Sequence, residues 1–563
     1  MTQSKRTLGT PRKLRPGTLR LVPLGGVGEI GRNMLVLELN NRILIVDCGV
    51  LFPEDHQPGI DLILPDFSYL DGRWDQIDGV VLTHGHEDHI GAVPYLLRKR
   101  PDLPLLSADF TLALVAAKLS SAEAVKLVRR PVQDGQRITV GPFELEFLAV
   151  NHSIPQAMAV CIRTEAGSVL HTGDFKMDQL PLDGRLTDLG SIYRIGDEGL
   201  DLLLSDSTNA EVPGFVTSEQ RIGPVLDQLI GSAHGRVILS CTSSHIHRVQ
   251  QALVAAERHG RSVAFLGRSM LRNMGVAEEY KLLKTPPRTV FDLKEIKDVP
   301  ARHQMIVCTG SQGEPMSALN RMANQEHPTV SLGADDTVIL ASSMIPGNES
   351  AIWRLVNQLS RLGVKIVHKE NALTHTTGHA PAGELLYLLN AARPKAFIPV
   401  HGEPRHLVAH AAIAKSAGVA AENILVLEDG VVVDLERGKA SIQGRVPAGF
   451  VFVDGAAVGD VGEVALKDRR TLRDEGVVTV MVVVDGDTGK LIAGPDLTSR
   501  GLSDIGVNFD EVSKSIVAAV DEATTSGVFD QTSLEQVVKR TVGKWLNREQ
   551  QRRPMVLSRV LVV

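Results

Sequence analysis

A chain of 563 residues is too long for a single hydrophobic core and calls for about two to four domains. Its composition, 43% hydrophobic and 22% charged, is that of a globular protein, and 4% aromatics exclude nucleic-acid binding that rests mainly on stacked rings. A formal charge of −6 excludes a generally basic coat but leaves room for a local basic groove.

The first residues carry Lys5, Arg6, Arg12, Lys13, Arg15 and Arg20 with no acid among them, and read as a disordered basic arm over 1–18. No apolar segment follows to make a signal peptide, and no run is long enough to span a bilayer. A cytoplasmic protein without membrane contact is expected. The strand-like residues 19–23 lead into Gly26-Val27-Gly28-Glu29-Ile30-Gly31, a GxGxxG match. Dinucleotide binding requires a helix next, whereas 34–39 read as another strand, so this is a β-hairpin turn.

Short β-branched runs then recur at 43–46, 80–82, 145–150, 169–170 and 202–204, which predicts an α/β chain. Residues 236–260 read as strand, polar turn and amphipathic helix. With 263–266, 305–308 and 338–341 they form an inserted parallel α/β unit. A strand at 397–398 ends in Val400-His401-Gly402; a helix to about Gly418 and strands at 424–427 and 431–434 follow. The glycine- and valine-rich stretch 444–462 reads as a linker. Beyond it, strands at 477–484 and 555–563 flank helices at 509–523 and 532–547, a small α+β domain. Cys48, Cys161, Cys241 and Cys308 are isolated in apolar runs and form no CxxC pair, so buried free thiols are expected.

The chemistry concentrates in His84-Gly85-His86-Glu87-Asp88-His89, directly after the run 80–82. His84 and His86 alternate, so both face one side of an extended segment. Asp88 and His89 stand at a turn where a helix over 90–100 can begin. Burying three histidines and two acids without a cation is costly. Further ligands are sought at strand ends: His152 after 145–150, Asp174 after Leu170-His171-Thr172-Gly173, and His401 after 396–400. Taken alone, each of these three is an ordinary polar or capping residue; their position makes them candidates. The donors are all nitrogen and oxygen, a set that suits Zn²⁺ and tolerates Mn²⁺.

Together, His84-x-His86-x-Asp88-His89 with His152, Asp174 and His401 resemble the metallo-β-lactamase fold, whose early buried aspartate matches Asp47. The segment between Asp174 and His401 resembles the inserted β-CASP domain of nucleases, through Ser342-Ser343-Met344-Ile345-Pro346-Gly347-Asn348-Glu349 and His375-Thr376-Thr377-Gly378-His379-Ala380. With Pro399-Val400-His401-Gly402-Glu403 and the C-terminal domain, nearly everything after the arm resembles the ribonuclease J family. Thr376-Thr377 departs from the family's usual small residue and serine, but a hydroxyl remains at 377.

The resemblance implies an αββα sandwich (19–220 and 366–445), an inserted β-CASP domain (221–365), a linker (446–466) and a C-terminal domain (467–563) that would make a homodimer or tetramer. It implies two divalent ions, Zn²⁺ or Mn²⁺. One would be held by His84, His86 and His152, the other by Asp88, His89 and His401, with Asp174 bridging. Asp88 and His379 are the catalytic candidates, His379 contacting the scissile phosphate and helping the 3′-oxygen leave. Ser343, His375, Thr376, Thr377, Gly378 and His379 would bind substrate, with Ser343, Thr377 and the backbone around Gly378 forming a pocket for a 5′-monophosphate that His375 either joins or supports. Asp454 is a turn residue or the holder of a structural cation. The expected activity is 5′→3′ exonucleolytic and endonucleolytic cleavage of single-stranded RNA. The competing expectations are a small-molecule ester or lactam hydrolase, which needs neither the insertion nor the extra domain, and a non-catalytic RNA scaffold, which needs no complete ligand set.

Overall fold

The computed structural model describes residues 8–314, 316–343, 348–502 and 508–563. The centre of the 342–349 motif, residues 344–347, lies outside the described residues. The chain divides into two units, 1–51 with 64–450, and 52–63 with 451–563.

The first unit contains two sheets whose inner faces share one core. The larger sheet runs, in spatial order, Lys439–Arg445, Val431–Glu436, Leu19–Gly25, Met34–Leu39, Arg42–Val46, Ile77–Val81, Leu105–Ser107 and Arg129–Pro131. It is antiparallel up to Arg42–Val46 and parallel beyond. The other runs Ala396–Val400, Leu202–Asp206, Gly167–His171, Met158–Thr164, Phe143–Ala149 and Arg137–Val140. Leu21, Leu37, Leu44 and Val81 from the first meet Phe147, Val160, Leu204 and Ile398 from the second in a single buried cluster. Leu202–Asp206 is buried along its whole length because parallel neighbours and both faces cover it, which is why its first three residues read as an apolar run.

Leu19–Gly25 and Met34–Leu39 pair antiparallel, so the GxGxxG segment is a hairpin turn. Two local expectations are corrected. Residues 424–427 form no strand: one bridge, Phe397 to Ile424, and the bond from Leu425 N–H to Phe397 O fasten them beside Ala396–Val400. The part of the arm that is described, 8–18, is not a free tail. Arg445 N–H donates to Gly9 O at 3.0 Å, and Arg20 Nη2 donates to Arg12 O at 2.8 Å.

The insertion is a five-stranded parallel sheet in the order Ser262–Leu266, Gln304–Cys308, Val237–Ser240, Thr337–Leu340 and Lys365–Val367. It has its own core, with Ile238, Ile306, Val338 and Leu355. All four cysteines are buried and free.

In the second unit, Val477–Val484 lies between Leu491–Arg500, antiparallel to it, and Met555–Val562, parallel to it. Alternation turns Val478, Val480, Val482 and Val484 inward. They meet Ile516 and Val520 of the helix Asp510–Thr525 and Leu534, Val538 and Val542 of the helix Gln531–Glu549. Asp530 caps the latter, accepting from Ser533 N–H at 2.8 Å. The stretch expected as a linker, 446–466, is structured: the strands Phe450–Asp454 and Ala457–Val458 pair antiparallel, and a helix Glu463–Glu475 begins within it. Arg469 takes up the Asp454 carboxylate, so no cation is needed there. Among the described residues, no helix is long and apolar enough to cross a membrane.

Candidate metal centre

The site is assembled at strand ends. His171, Leu204 and Ile398 lie in register on three neighbouring parallel strands, so Asp206 at one strand end and Asp174 and His401 in the loops after the other two come to one edge. His152 arrives after Phe143–Ala149, and His84 to His89 after Ile77–Val81. Two site residues have left-handed backbone, Asp47 at φ 61° and His401 at φ 52°. Such conformations cost energy in non-glycine residues and survive only where the surroundings fix them. The hairpin turn does this for His401: its N–H donates to Gly26 O at 2.7 Å, and Gly28 N–H donates to Gly402 O at 3.0 Å.

His84 Nε2 and His152 Nε2 each lie 3.0 Å from His86 Nδ1. Their other nitrogens hold their protons elsewhere. His152 Nδ1–H donates to Gly378 O at 2.7 Å. The Thr83 hydroxyl gives its proton to Asp47 Oδ2 at 2.9 Å and therefore accepts from His84 Nδ1–H at 3.1 Å. The Nε2 lone pairs of His84 and His152 are thus directed at one point. Asp174, 2% exposed, lies alongside, and its Oδ1 is buried with no hydrogen-bond partner. A cation resolves both features, so this donor set fits a divalent metal.

A second group is Asp88, His89, Asp174 and His401. His89 Nδ1–H donates to Asp47 Oδ2 at 2.8 Å, leaving Nε2 to face Asp174 Oδ2 at 3.3 Å and Asp88 Oδ2 at 3.6 Å. His401 Nε2 is 3.2 Å from Asp88 Oδ2. Asn33 steadies this group, its backbone and side-chain N–H groups both reaching Asp88 O at 3.0 Å. Gly49 lets the chain pass so close that an added Cβ would sit 1.6 Å from Asp88 O.

The two groups differ electrostatically. Burial drives the first set away from charge: His86 falls to about 4, and His84 and His152 lie well below the ordinary imidazole value. Burial opposes charge at His89 and His401 too. There Asp174 and Asp88 outweigh it, with Asp47 at His89 and Asp206 at His401, so His89 lies well above the ordinary value and His401 at about 10. Burial likewise opposes charge on Asp174, but His401, His89 and His84 hold its carboxyl well below the usual carboxylate range.

His379 closes the cluster. Its Nδ1 is 2.8 Å from Asp206 Oδ2 and its ring stacks on His401 at 5.5 Å between centroids. Burial opposes its charge, yet Asp206 raises its pKa. Asn209 Nδ2 donates to Thr377 Oγ1 at 2.8 Å and to His379 O at 3.0 Å. Thr377 Oγ1 also accepts from His379 N–H at 3.2 Å, which leaves its hydroxyl proton available. Gly378 packs against His152, where a Cβ would meet the ring at 2.8 Å.

The other substrate-binding candidates are placed differently. The Thr376 hydroxyl donates to Thr217 O at 2.7 Å. His375 is buried edge-on to His245, 6.0 Å between centroids, with Nδ1 unpartnered and its pKa pushed well below the ordinary value by burial and Arg248. Ser343 is half-buried, and its carbonyl accepts from Gln312 Nε2 at 2.7 Å. Sequence reasoning missed Asp206, which joins Asp174, His379 and His401 in a third cluster of potential ligands. The signal was present: a carboxylate at the end of a buried strand, much as Asp174 follows one.

Four family models match in chain order: the metallo-beta-lactamase superfamily over residues 27–206, the ribonuclease J beta-CASP domain over 234–359, the Zn-dependent metallo-hydrolase RNA specificity domain over 363–426, and the ribonuclease J C-terminal domain over 464–563. Ribonuclease J of Mycolicibacterium smegmatis is 48% identical over 99% of both chains. Ribonuclease J of Thermus thermophilus is 40% identical over 96% of this chain and 95% of its own. A crystal structure of a protein of unknown function from Enterococcus faecalis shares the fold at a TM-score of 0.51 and 14% identity, covering 76% of this chain and 100% of its own. The lactamase-type sandwich, the RNA-specificity segment and these two relatives, matched along nearly their whole length, agree. The chain belongs to the ribonuclease J family, metal-dependent ribonucleases of RNA processing with exo- and endonucleolytic activity.

Proposed function

We propose that the protein holds two divalent ions, Zn²⁺ or Mn²⁺, one at His84, His86 and His152 and one at Asp88, His89 and His401, with Asp174 shared, and degrades single-stranded RNA 5′→3′ from a 5′-monophosphate as well as cutting internally. The observation that carries this reading is the convergence of the imidazole lone pairs on Asp174 with His379 beside them. When bound, such a pair activates water and neutralises charge building on the phosphoryl oxygens. The protein's own groups do the rest. Asp206 fixes His379 with Nδ1–H toward its carboxylate and favours the imidazolium, which can hydrogen-bond the scissile phosphate and give a proton to the leaving 3′-oxygen. Asp88, 27% exposed on its side chain, stands on the open side of the cluster. The Thr377 hydroxyl and the half-buried Ser343 supply neutral contacts suited to the oxygens of a terminal phosphate.

The test is one RNA prepared with a 5′-triphosphate, monophosphate or hydroxyl, incubated with Mn²⁺, Mg²⁺ or Zn²⁺ in turn. Mononucleotides released from the monophosphate form alone are expected; equal release from all three ends would refute the end preference. Replacing both His84 and His86 by Ala is expected to abolish cleavage while RNA binding persists. The second unit, with its own core, is proposed to dimerise the chain in the cytoplasm. Light scattering after deletion from Lys467 checks this, and an unchanged mass would refute it.

A further inference from the structure

Two crossings join the sandwich to its insertion, one between Asp206 and Val237, the other between Val367 and Ala396. Glu219 lies on the outgoing crossing and is 3% exposed. Its Oε1 is 3.2 Å from Lys176 Nζ and 3.3 Å from His245 Nε2, and its Oε2 is 2.6 Å from Arg248 Nη2. Lys176 and Arg248 are as deeply buried. Burial opposes charge on Glu219, but Arg248, His245 and Lys176 hold its carboxyl well below the usual range. Buried ion pairs bring little net stability, because desolvation offsets their attraction. Their fixed geometry is the more informative property.

Each cation is tied to a different half of the active site. Lys176 follows Asp174 by two positions, and its N–H donates to Asn151 O, next to His152, at 2.9 Å. Arg248 lies on the insertion helix Ile246–Arg258, and its Nη1 donates to Thr374 O on the returning crossing. That crossing continues directly to Gly378, which receives His152 Nδ1–H, and to His379. The planar guanidinium reaches the Glu219 carboxylate and the Thr374 carbonyl at once, which an ammonium cannot reproduce.

We propose that Lys176, Glu219 and Arg248 form a positioning relay that sets the segment Thr374–His379, and with it the His379 imidazole, against the metal ligands. They touch no substrate and act through that segment. The inference rests on the reading that His379 gives a proton to the leaving 3′-oxygen.

The experiment compares Arg248→Lys and Glu219→Gln with wild type and with His379→Ala, each metal-loaded. Two substrates are used: 5′-monophosphorylated single-stranded RNA, and bis(p-nitrophenyl) phosphate, whose p-nitrophenolate leaves without needing a proton. Metal content and melting temperature are measured alongside. In Arg248→Lys the ion pair survives and the Thr374 tether is lost. Its kcat on RNA is expected to fall by about tenfold to a hundredfold, the usual effect of a small misplacement. KM, metal content and activity on the activated diester are expected to stay within about twofold, the pattern of a lost transition-state contact. Glu219→Gln is expected to behave in the same direction. If His379→Ala cleaves RNA normally, the reading of His379 fails. If His379→Ala is impaired but neither relay variant is, the relay fails. Equal loss on both substrates, or loss of metal or fold in both relay variants, also overturns it by showing a general structural role.

Discussion

Asp206 Oδ2 and His379 Nδ1, 173 residues apart in the chain, lie 2.8 Å from one another. The carboxylate stands at the end of the strand Leu202–Asp206, and the imidazole on the crossing that returns from the insertion. Asp206→Asn keeps size and a hydrogen-bond acceptor but removes the charge that raises the pKa of His379 against the effect of burial. The imidazolium is then lost at lower pH, so the basic limb of the kcat profile on RNA is expected to move to lower pH. The maximum should fall by roughly a hundredfold or more, the scale of a compromised general acid. A pH–rate profile with metal content as control checks this; an unmoved limb would show that His379 is not the acid.

Asn33 grips one carbonyl twice, through its backbone N–H and its side-chain amide on Asp88 O, both at 3.0 Å, and its amide is also 3.2 Å from His89 Nε2. Asn33→Ala removes the side-chain grip and leaves the backbone bond. The expected result is a folded protein whose weaker metal affinity drops by about tenfold to a hundredfold, the usual effect of losing a group that orients a ligand. Competition with a chelating indicator measures it, and the tighter affinity should not change.

The parts of this arrangement that were legible in the sequence have short-range signatures. His84 to His89 stand out because density alone makes them costly to bury, and Val477–Val484 because a valine-rich β-branched run marks a strand. Asp206 stands near a strand end as Asp174 does, but two residues past the apolar run 202–204, and the strand signal lies in that run alone. The Glu219 ion pairs span 29 residues to Arg248 and 43 to Lys176, and no local pattern encodes such a meeting. Thr376 and Thr377 are indistinguishable as letters, yet one hydroxyl is spent on Thr217 O and the other faces Asn209. In 444–462 glycine content resembled a linker, whereas Gly455 at φ 57° serves the turn of a hairpin, a conformation glycine adopts without strain.

Gly49 offers a test of how tightly the ligand loop is packed. Cys48 N–H donates to His89 O at 2.8 Å and Val50 N–H to Glu87 O at 3.1 Å, so the chain runs against the loop on both sides of a position where a Cβ would lie 1.6 Å from Asp88 O. Gly49→Ala must push Asp88 and His89 away. It is expected to destabilise the fold by about 3 kcal/mol, at the upper end of ordinary overpacking, and to lose the metal of the Asp88, His89 and His401 group first. Thermal melting with elemental analysis checks both; an unchanged melt would mean that the loop yields freely.

The two ligand groups should also separate by pH. A metal takes an imidazole lone pair only after its proton leaves. In the metal-free protein burial keeps His84, His86 and His152 unprotonated near neutrality, His86 titrating only at about 4. At His89 and His401 burial is overcome, chiefly by Asp174, and protons stay bound far higher, to about 10 at His401. Binding at the second group must therefore release protons across the neutral range, and its affinity falls by about tenfold per released proton for each pH unit below those values. The first group has no such proton to displace until the solution is acidic. Equilibrium dialysis is expected to find two metal equivalents per chain at about pH 9 and close to one at about pH 6, the second lost from Asp88, His89 and His401. Asp88→Asn should then remove the pH-sensitive equivalent and spare the other. Loss of both equivalents together on acidification would show that the two groups act as a single site.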